Sequence, residues 1–314
     1  MNFANKLSNK LNPAKSLFAA LLLTLTLTPQ AQAAAPQHPI VLVHGIYGFD
    51  ALLGIDYFYR VPQTLRAMGA KVYVAQVSQA NSTEVRGEQL RQYIQGVLAH
   101  SGASKVNIIG HSHGGPTARY VASVSPEMVA SVTSIGGVNW GSRFADFLRG
   151  HIRPDSWTEW MVRIGMEGLA RAIATLSGNP ATPQDALAMA ESLTTRGSVA
   201  FNQRYPEGMP ASYCGQGRKW VNGVAYFSWS GSGVFTNGFD LSDYPLSLTA
   251  LVFNEPNDGL VASCSTHLGQ VIRNNYRMNH MDEVNQVFGL VSWFETNPLT
   301  LFRQHANRLA QHGL

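Results

Sequence analysis

The chain predicts an α/β fold: a mainly parallel central sheet covered by helices on both faces. Short β-rich runs alternate with stretches of helical periodicity over most of its length, and the mature chain shows no internal repeat, low-complexity tract or charge block. Its 314 residues are 45% hydrophobic and 13% charged, with 29 Gly and 15 Pro, which excludes a disordered or collagen-like polymer. Such a length buries roughly 75% of the surface its unfolded chain exposes, so core size is not limiting.

Along the chain, Ile40-Val41-Leu42-Val43 is a first strand ended by His44-Gly45. Pro62 to Met68 reads as a helix closed by Gly69, a residue suited to a C-terminal cap. Lys71 to Ala75 is a second strand. A helix capped by Ser82 or Thr83 carries Leu90, Ile94, Val97 and Leu98 at helical spacing to about His100, and Val106 to Ile109 forms a third strand. Val129 to Ile135 and Leu248 to Phe253 give two more candidate strands. Asn222-Gly223 between apolar residues marks a small β-hairpin over Trp220 to Tyr226. An apolar helix pattern runs from Val284 to Phe288, and His305 falls in an amphipathic C-terminal helix.

The first 33 residues read as a secretory signal peptide: Lys6, Lys10 and Lys15 precede the apolar run Leu17 to Leu27, and Ala31-Gln32-Ala33 follows as a small-residue cleavage site. That run is short for a membrane span, no later segment reaches about 18 apolar residues, and no stable membrane anchor is expected. Residues 34–314 are then a single domain. Of 23 basic side chains three sit in the leader, leaving 20 against 19 acidic ones. A near-neutral chain without a Lys/Arg stripe offers nucleic acid little electrostatic attraction. Export also places Cys214 and Cys264 in an oxidising compartment, where they are expected to pair.

The chemistry concentrates at Gly110-His111-Ser112-His113-Gly114, a G-x-S-x-G sequence between a strand and a helix beginning near Pro116. A serine raised on such a turn needs small neighbours, because a side chain at Gly110 or Gly114 would collide with the adjoining strand and helix. A serine nucleophile also needs a histidine base oriented by a carboxylate, in the chain order Ser, acid, His. His151, His267, His280, His305 and His312 follow Ser112, with Asp146, Asp155, Asp185, Asp240, Asp243 and Asp258 among the carboxylates. Asp258 lies in a loop after the run Leu248 to Phe253, where catalytic groups of open α/β sheets collect. His280 lies in a polar, turn-like stretch. Local sequence leaves this pairing level with the plain reading that both are loop-surface residues.

The longer runs resemble the Pseudomonas-type secreted triacylglycerol lipases, the calcium-binding, foldase-dependent bacterial true lipases. They are Pro39 to Gly45, Val77-Ser78-Gln79 with Glu84 to Leu90, Val106 to Pro116, Asn257 to Val261 and Asn275 to Gly289. The resemblance implies an α/β-hydrolase fold with Ser112 as nucleophile, Asp258 as acid and His280 as base. Acyl transfer needs two donors for the developing oxyanion. The amide of His113 is one, and the resemblance assigns the other to the Ile46 amide. Alone, Asp240 reads as a turn residue after Asn237-Gly238 and Asp282 as a helix N-terminal cap. The resemblance implies instead one structural calcium ion held by the carboxylates of Asp240 and Asp282 and the carbonyls of Gln286 and Leu290. It also implies a dedicated foldase partner during export.

From Ser156 to Leu176, Trp157, Trp160, Met161 and Ile164 recur at helical spacing, with Leu169, Ile173 and Leu176 continuing the stripe. On its own this is a helix packed permanently on the sheet. Within a secreted lipase-like hydrolase it reads as a lid over the pocket in water that opens onto lipid. The expected function is hydrolysis of triacylglycerols to fatty acids through an acyl-enzyme. The rivals are a carboxylesterase on short soluble esters and, from another class, a non-catalytic lipid-binding module on a hydrolase scaffold.

Overall fold

Strand β1 (Ile40–Val43) is buried at all four positions, and its side chains alternate between two cores, as the period of two along a strand requires. The computed structural model describes residues 35–48, 51–52, 55–151, 156–178 and 181–314; the signal-peptide segment 1–33 lies outside them. The strands after β1 are β2 (Ala51–Leu52), β3 (Ile55–Asp56), β4 (Val72–Ala75), β5 (Val106–His111), β6 (Val129–Ile135), β7 (Trp220–Val221), β8 (Val224–Gly231) and β9 (Gln270–Tyr276). The main sheet runs β4-β1-β5-β6-β8-β7, with β9 beside β8. All its pairings are parallel except the β7–β8 hairpin, and β2 and β3 form a separate antiparallel pair.

The helices are α1 (Val61–Arg66), α2 (Thr83–Ser101), α3 (Gly114–Val124), α4 (Arg143–His151), α5 (Trp157–Leu176), α6 (Ala186–Leu193), α7 (Thr195–Arg204), α8 (Asp243–Thr249) and α9 (Pro298–Gln311). On one face Leu90 and Ile94 of α2 and Val121 of α3 pack on Val41, Val43, Val106 and Val132. On the other, Leu65 of α1 and Phe302 of α9 pack on Ile40, Leu42, Ile109 and Trp229. Each such fully buried aliphatic contributes roughly 1.5–3 kcal/mol. Ser82 caps α2 by accepting from the Val85 N–H, and the helix closes on left-handed Gly102. Cys214 and Cys264 form a disulfide. It closes a loop worth about 4 kcal/mol in the chain-entropy account. None of the described helices is long and apolar enough to cross a membrane.

Two expected elements are corrected. Leu248 to Phe253 is not a strand: it is the end of α8 and a 3-10 turn, Ala250–Val252. Asp243 and Pro245 lie in the first turn of α8, where an acid meets the helix dipole and proline's missing N–H costs nothing. The run is apolar for a different reason, since Leu248 and Leu251 face solvent. Nor is Val284 to Phe288 a helix. The segment instead holds two 3-10 turns, Asp282–Val284 and Val287–Gly289, with left-handed backbone at Asn285 between them and at Val287 and Phe288 within the second (φ 58°, 56° and 59°).

The expected close approach around Ser112 is present. A Cβ on Gly110 would stand 2.1 Å from the Gly114 carbonyl oxygen, and one on Gly114 would stand 2.3 Å from the Val43 carbonyl oxygen. Both obstacles are backbone in the packed centre and cannot swing aside. Gly114→Ala is therefore expected to lose at least about 2 kcal/mol of stability, within the range of overpacked cores. Denaturant unfolding checks this, and a wild-type midpoint would contradict it.

Candidate active site

Ser112 follows the end of β5 in left-handed backbone, with φ of 56°. Its N–H donates to the Ile135 carbonyl at 2.9 Å, and its own carbonyl accepts from Gly115 at 3.0 Å as α3 begins. Strain at a non-glycine residue persists only where the surroundings over-determine it. Here the first strand presses from the side: a Cβ on Gly45 would lie 2.7 Å from the Ser112 Cβ.

His280 and Asp258 come from separate loops and meet in the interior, both buried. His280 Nδ1 donates to Asp258 Oδ2 at 2.7 Å, and the His280 N–H donates to the Asp258 carbonyl at 2.9 Å. The other carboxylate oxygen, Oδ1, accepts from Leu260 at 2.9 Å and Val261 at 2.7 Å. A carboxylate so held keeps the Nδ1 proton in place and leaves Nε2 as the basic nitrogen. His280 and Ser112 line one cavity of about 280 Å³ with Ile46, Tyr57 and Met281. A second, apolar cavity of about 100 Å³ also reaches Ser112, walled by Val138, Leu148, Met166, Leu193 and Val261. The Ile46 and His113 N–H groups have no hydrogen-bond partner among the described residues.

The remaining candidates are occupied elsewhere. His267 Nδ1 donates to the Gly215 carbonyl, His305 pairs with Thr133, His312 accepts from Lys219, and His151 donates to the Phe147 carbonyl. Asp146 holds the start of α7 through Thr195, and Asp185 caps α6; Asp155 lies outside the described residues. Asp258 does not follow a strand, as expected, but a 3-10 turn. Its loop instead precedes the 3-10 turn Ser263–Thr266, which carries the disulfide cysteine Cys264.

Asp240 and Asp282 are both fully buried. Asp240 Oδ1 accepts from Ser242, as a turn residue should, whereas Asp282 does not cap a helix: its Oδ2 accepts from Thr236 at 2.7 Å and Asn279 at 3.1 Å. Oδ2 of Asp240 and Oδ1 of Asp282 have no partner among the described residues. Burial, opposed by hydrogen bonds from Thr236 and Asn279 and reinforced by Asp240 and Asp243, raises the Asp282 carboxyl to about 7. Buried carboxylate oxygens without donors, beside a third buried acid, fit a hard cation. Gln286 and Leu290 lie on the irregular turn that follows, where β-branched Val287 is held at φ 56°.

Sequence reasoning gave no role to Arg86 or Glu283. Arg86 is fully buried with no carboxylate partner among the described residues; it donates to the Ser78 carbonyl, to the His44 carbonyl at 2.6 Å and to the Gly45 carbonyl at 3.3 Å. Fixing the Gly45 carbonyl fixes the Ile46 N–H, which belongs to the same planar peptide. Neither contact leaves a local signature, because backbone carbonyls are invisible in a sequence. Glu283 is buried against Asp258, and Oε1 accepts from the Gly231 N–H at 2.5 Å. Burial first, then the Asp258 carboxylate, push its carboxyl well above the usual range.

Fold and site together define a serine hydrolase of the α/β type. Residues 38–230 match the family model for the alpha/beta hydrolase fold, a stretch that contains Ser112 but ends before Asp258 and His280. The chain is 61% identical over 279 residues to a triacylglycerol lipase of Vibrio cholerae, covering 88% of this chain and 89% of that one. It is 41% identical over 288 residues to a triacylglycerol lipase of Pseudomonas fragi, covering 88% and 98%. Lipase 1 of Pelosinus fermentans superposes with a TM-score of 0.58 at 17% identity, over 88% of this chain and 99% of that chain, a likeness of fold alone. The chain belongs to the α/β hydrolase fold family and, within it, to the bacterial triacylglycerol lipases; it is an ester hydrolase.

The upward push on the Glu283 carboxyl favours its neutral form, with a testable consequence. Glu283→Gln keeps a neutral acceptor for Gly231 and is expected to hold ester hydrolysis within about threefold of wild type. Glu283→Ala strands the Gly231 N–H and costs about 1–3 kcal/mol. Thermal unfolding and initial rates on a soluble ester compare the two, and equal damage from both would show that the Glu283 carboxyl is ionised.

Proposed function

We propose that this protein is a secreted lipase that hydrolyses triacylglycerols, with Ser112 as nucleophile, His280 as general base and acid, and Asp258 as the carboxylate that orients His280. The observation that carries the reading is the buried His280–Asp258 hydrogen bond beside a left-handed Ser112 on the strand-to-helix turn. Ser112 Oγ attacks the ester carbonyl as its proton passes to His280 Nε2. The tetrahedral oxyanion is taken by the N–H groups of Ile46 and His113, each commonly worth about 3–4 kcal/mol. His280 returns the proton to the departing alcohol, and water then releases the fatty acid from the acyl-enzyme by the same steps. The apolar cavity walled by Val138, Leu148 and Met166 suits the acyl chain.

Triacylglycerol is favoured over short soluble esters by the surface of α5. Trp157 is 72% exposed and Leu169 54% exposed, while the helix turns Ala170 and Ala174 inward and lends Met166 to the pocket wall. The apolar stripe faces outward, unlike the permanently packed helix, and so suits a lid that engages an oil surface. Residues 1–33 serve as the signal peptide, and a foldase assists folding during export.

A structural calcium ion, held by Asp240, Asp282 and the carbonyls of Gln286 and Leu290, neutralises the buried acids. Asp282 lies two residues beyond His280, so the ion steadies the loop that carries the base. It takes no part in the acyl transfer proposed here.

The decisive experiment compares wild type with Ser112→Ala on a triacylglycerol emulsion and on a monomeric short-chain ester, and labels both with a fluorophosphonate. Wild type is expected to label at Ser112 and to accelerate at the oil interface, with Ser112→Ala losing about 10⁴-fold or more. Folded wild type that fails to label would favour the binding module; labelling without long-chain turnover would favour the carboxylesterase.

Removing calcium should show a signed pH dependence. With Asp282 at about 7 in the folded protein against 3.8 as its ordinary value, the metal-free fold binds a proton that the unfolded chain releases. That contribution is complete below about pH 4 and fades as pH rises through 7. Chelation is therefore expected to lower Tm more at pH 8 than at pH 5, by an energy on the order of a few kcal/mol. Equal shifts at both pH values in calorimetry would count against the site.

A further inference from the structure

We propose that His111 and Tyr57 are positioning residues: a hydrogen-bonded chain through them locks the loop bearing Ile46 to the loop bearing His280, across the residue that precedes Ser112. The inference rests on the reaction proposed above and assigns work to two side chains which that reaction does not use.

The chain has one direction only. His111 Nε2 lies 2.9 Å from the His280 carbonyl oxygen. A carbonyl only accepts, so Nε2 carries the proton. Nδ1 of the neutral ring is then an acceptor, and the Tyr57 hydroxyl 2.7 Å away donates to it. The Tyr57 oxygen in turn accepts from the Gly45 N–H at 3.2 Å. All three residues are buried. The rings of His111 and His280 lie 4.5 Å apart between centroids at a 41° tilt, and Glu283 Oε2 stands 3.4 Å from His111 Nε2. Protonating His111 would reverse the Tyr57 bond, with Nδ1–H donating to the phenol oxygen; burial first, then the neighbouring His280, hold its pKa well below the usual histidine value.

The consequence is mechanical. Gly45 is gripped at its N–H by Tyr57 and at its carbonyl by Arg86, so the peptide that presents the Ile46 amide has no free rotation. The same chain fixes the main chain of His280, whose side chain is already fixed by Asp258. Nucleophile, base and oxyanion donor thus share one frame. A tilt of the base loop is transmitted to the oxyanion loop, and geometric slack of this kind is expensive in an acyl-transfer site.

Tyr57→Phe, His111→Gln and the double variant test this on a soluble short-chain ester, which avoids adsorption effects. Each single variant is expected to lower kcat about 10- to 50-fold with KM within about twofold, because the frame serves the transition state more than substrate binding. The double variant is expected to fall no more than about twofold below the worse single one, since a broken chain cannot break twice. Independent multiplication of the two losses, or a rise in KM that accounts for them, would leave only general packing and overturn the proposal. If His111→Gln fails to fold, Tyr57→Phe decides alone: it removes one oxygen, and kcat within twofold of wild type overturns the proposal. In that case normal labelling of Ser112 in wild type leaves the lipase reading standing, whereas an unlabelled wild type removes both.

Discussion

The close backbone approach around Ser112 is the constraint on which the rest depends. β1, β5 and the start of α3 converge so tightly that Gly45, Gly110 and Gly114 have no room for a Cβ. That convergence forces Ser112 into left-handed backbone, and the strain is held by two layers of packing that bury both faces of the parallel strands. It also brings the ends of β1 and β5 together, so that Ile46 and Ser112 line the same cavity. A looser sheet could carry the same side chains without aligning them.

Much of this was legible in the sequence because it is local. Strands β1, β4, β5 and β6, helix α2 and its Ser82 cap, and the hairpin turn at Asn222-Gly223 follow from periodicity and turn chemistry over a few residues. The small-residue demand at Gly110 and Gly114 follows from the elbow itself. What failed was the reading of apolar runs whose partner is not the core. Leu248 to Phe253 has the composition of a buried strand, yet it forms surface around the acid loop, with Thr249 Oγ1 donating to the Gly259 carbonyl at 2.6 Å. Strand β8 continues past the hairpin to Gly231 through buried Ser228 and Ser230, whose hydroxyls interrupt the apolar signal. Edge strand β9 is largely polar and half-exposed, so it has no strand signature at all.

The site divides in the same way. Ser112 announces itself, whereas Asp258 and His280 are separated from it by long stretches of chain; local sequence singled them out only level with a loop-surface reading, and the resemblance decided the choice. The supporting polar groups are less visible still. Arg86 holds carbonyls, His111 meets a carbonyl and a phenol, and Glu283 accepts from the Gly231 N–H behind Asp258. Each satisfies its partner only in the folded chain. In a low-dielectric interior such groups stabilise when fully paired and destabilise when half paired, which ties the loops to one arrangement.

Helix α5 inverts the usual logic of an amphipathic helix. A helix normally turns its large apolar side chains inward; here small alanines pack inward while Trp157 and Trp160, stacked at 4.4 Å, lie outward with Met161 and Ile164. The inner contact is therefore weak per residue, because an alanine buries little area, and the outer face exposes surface that water disfavours at about 25 cal/mol per Å². An oil phase reverses the second term without strengthening the first. On the lid reading proposed above, the helix would gain by leaving the pocket only when an apolar phase is present, so the stripe that is unfavourable in water would set the condition for access to Ser112.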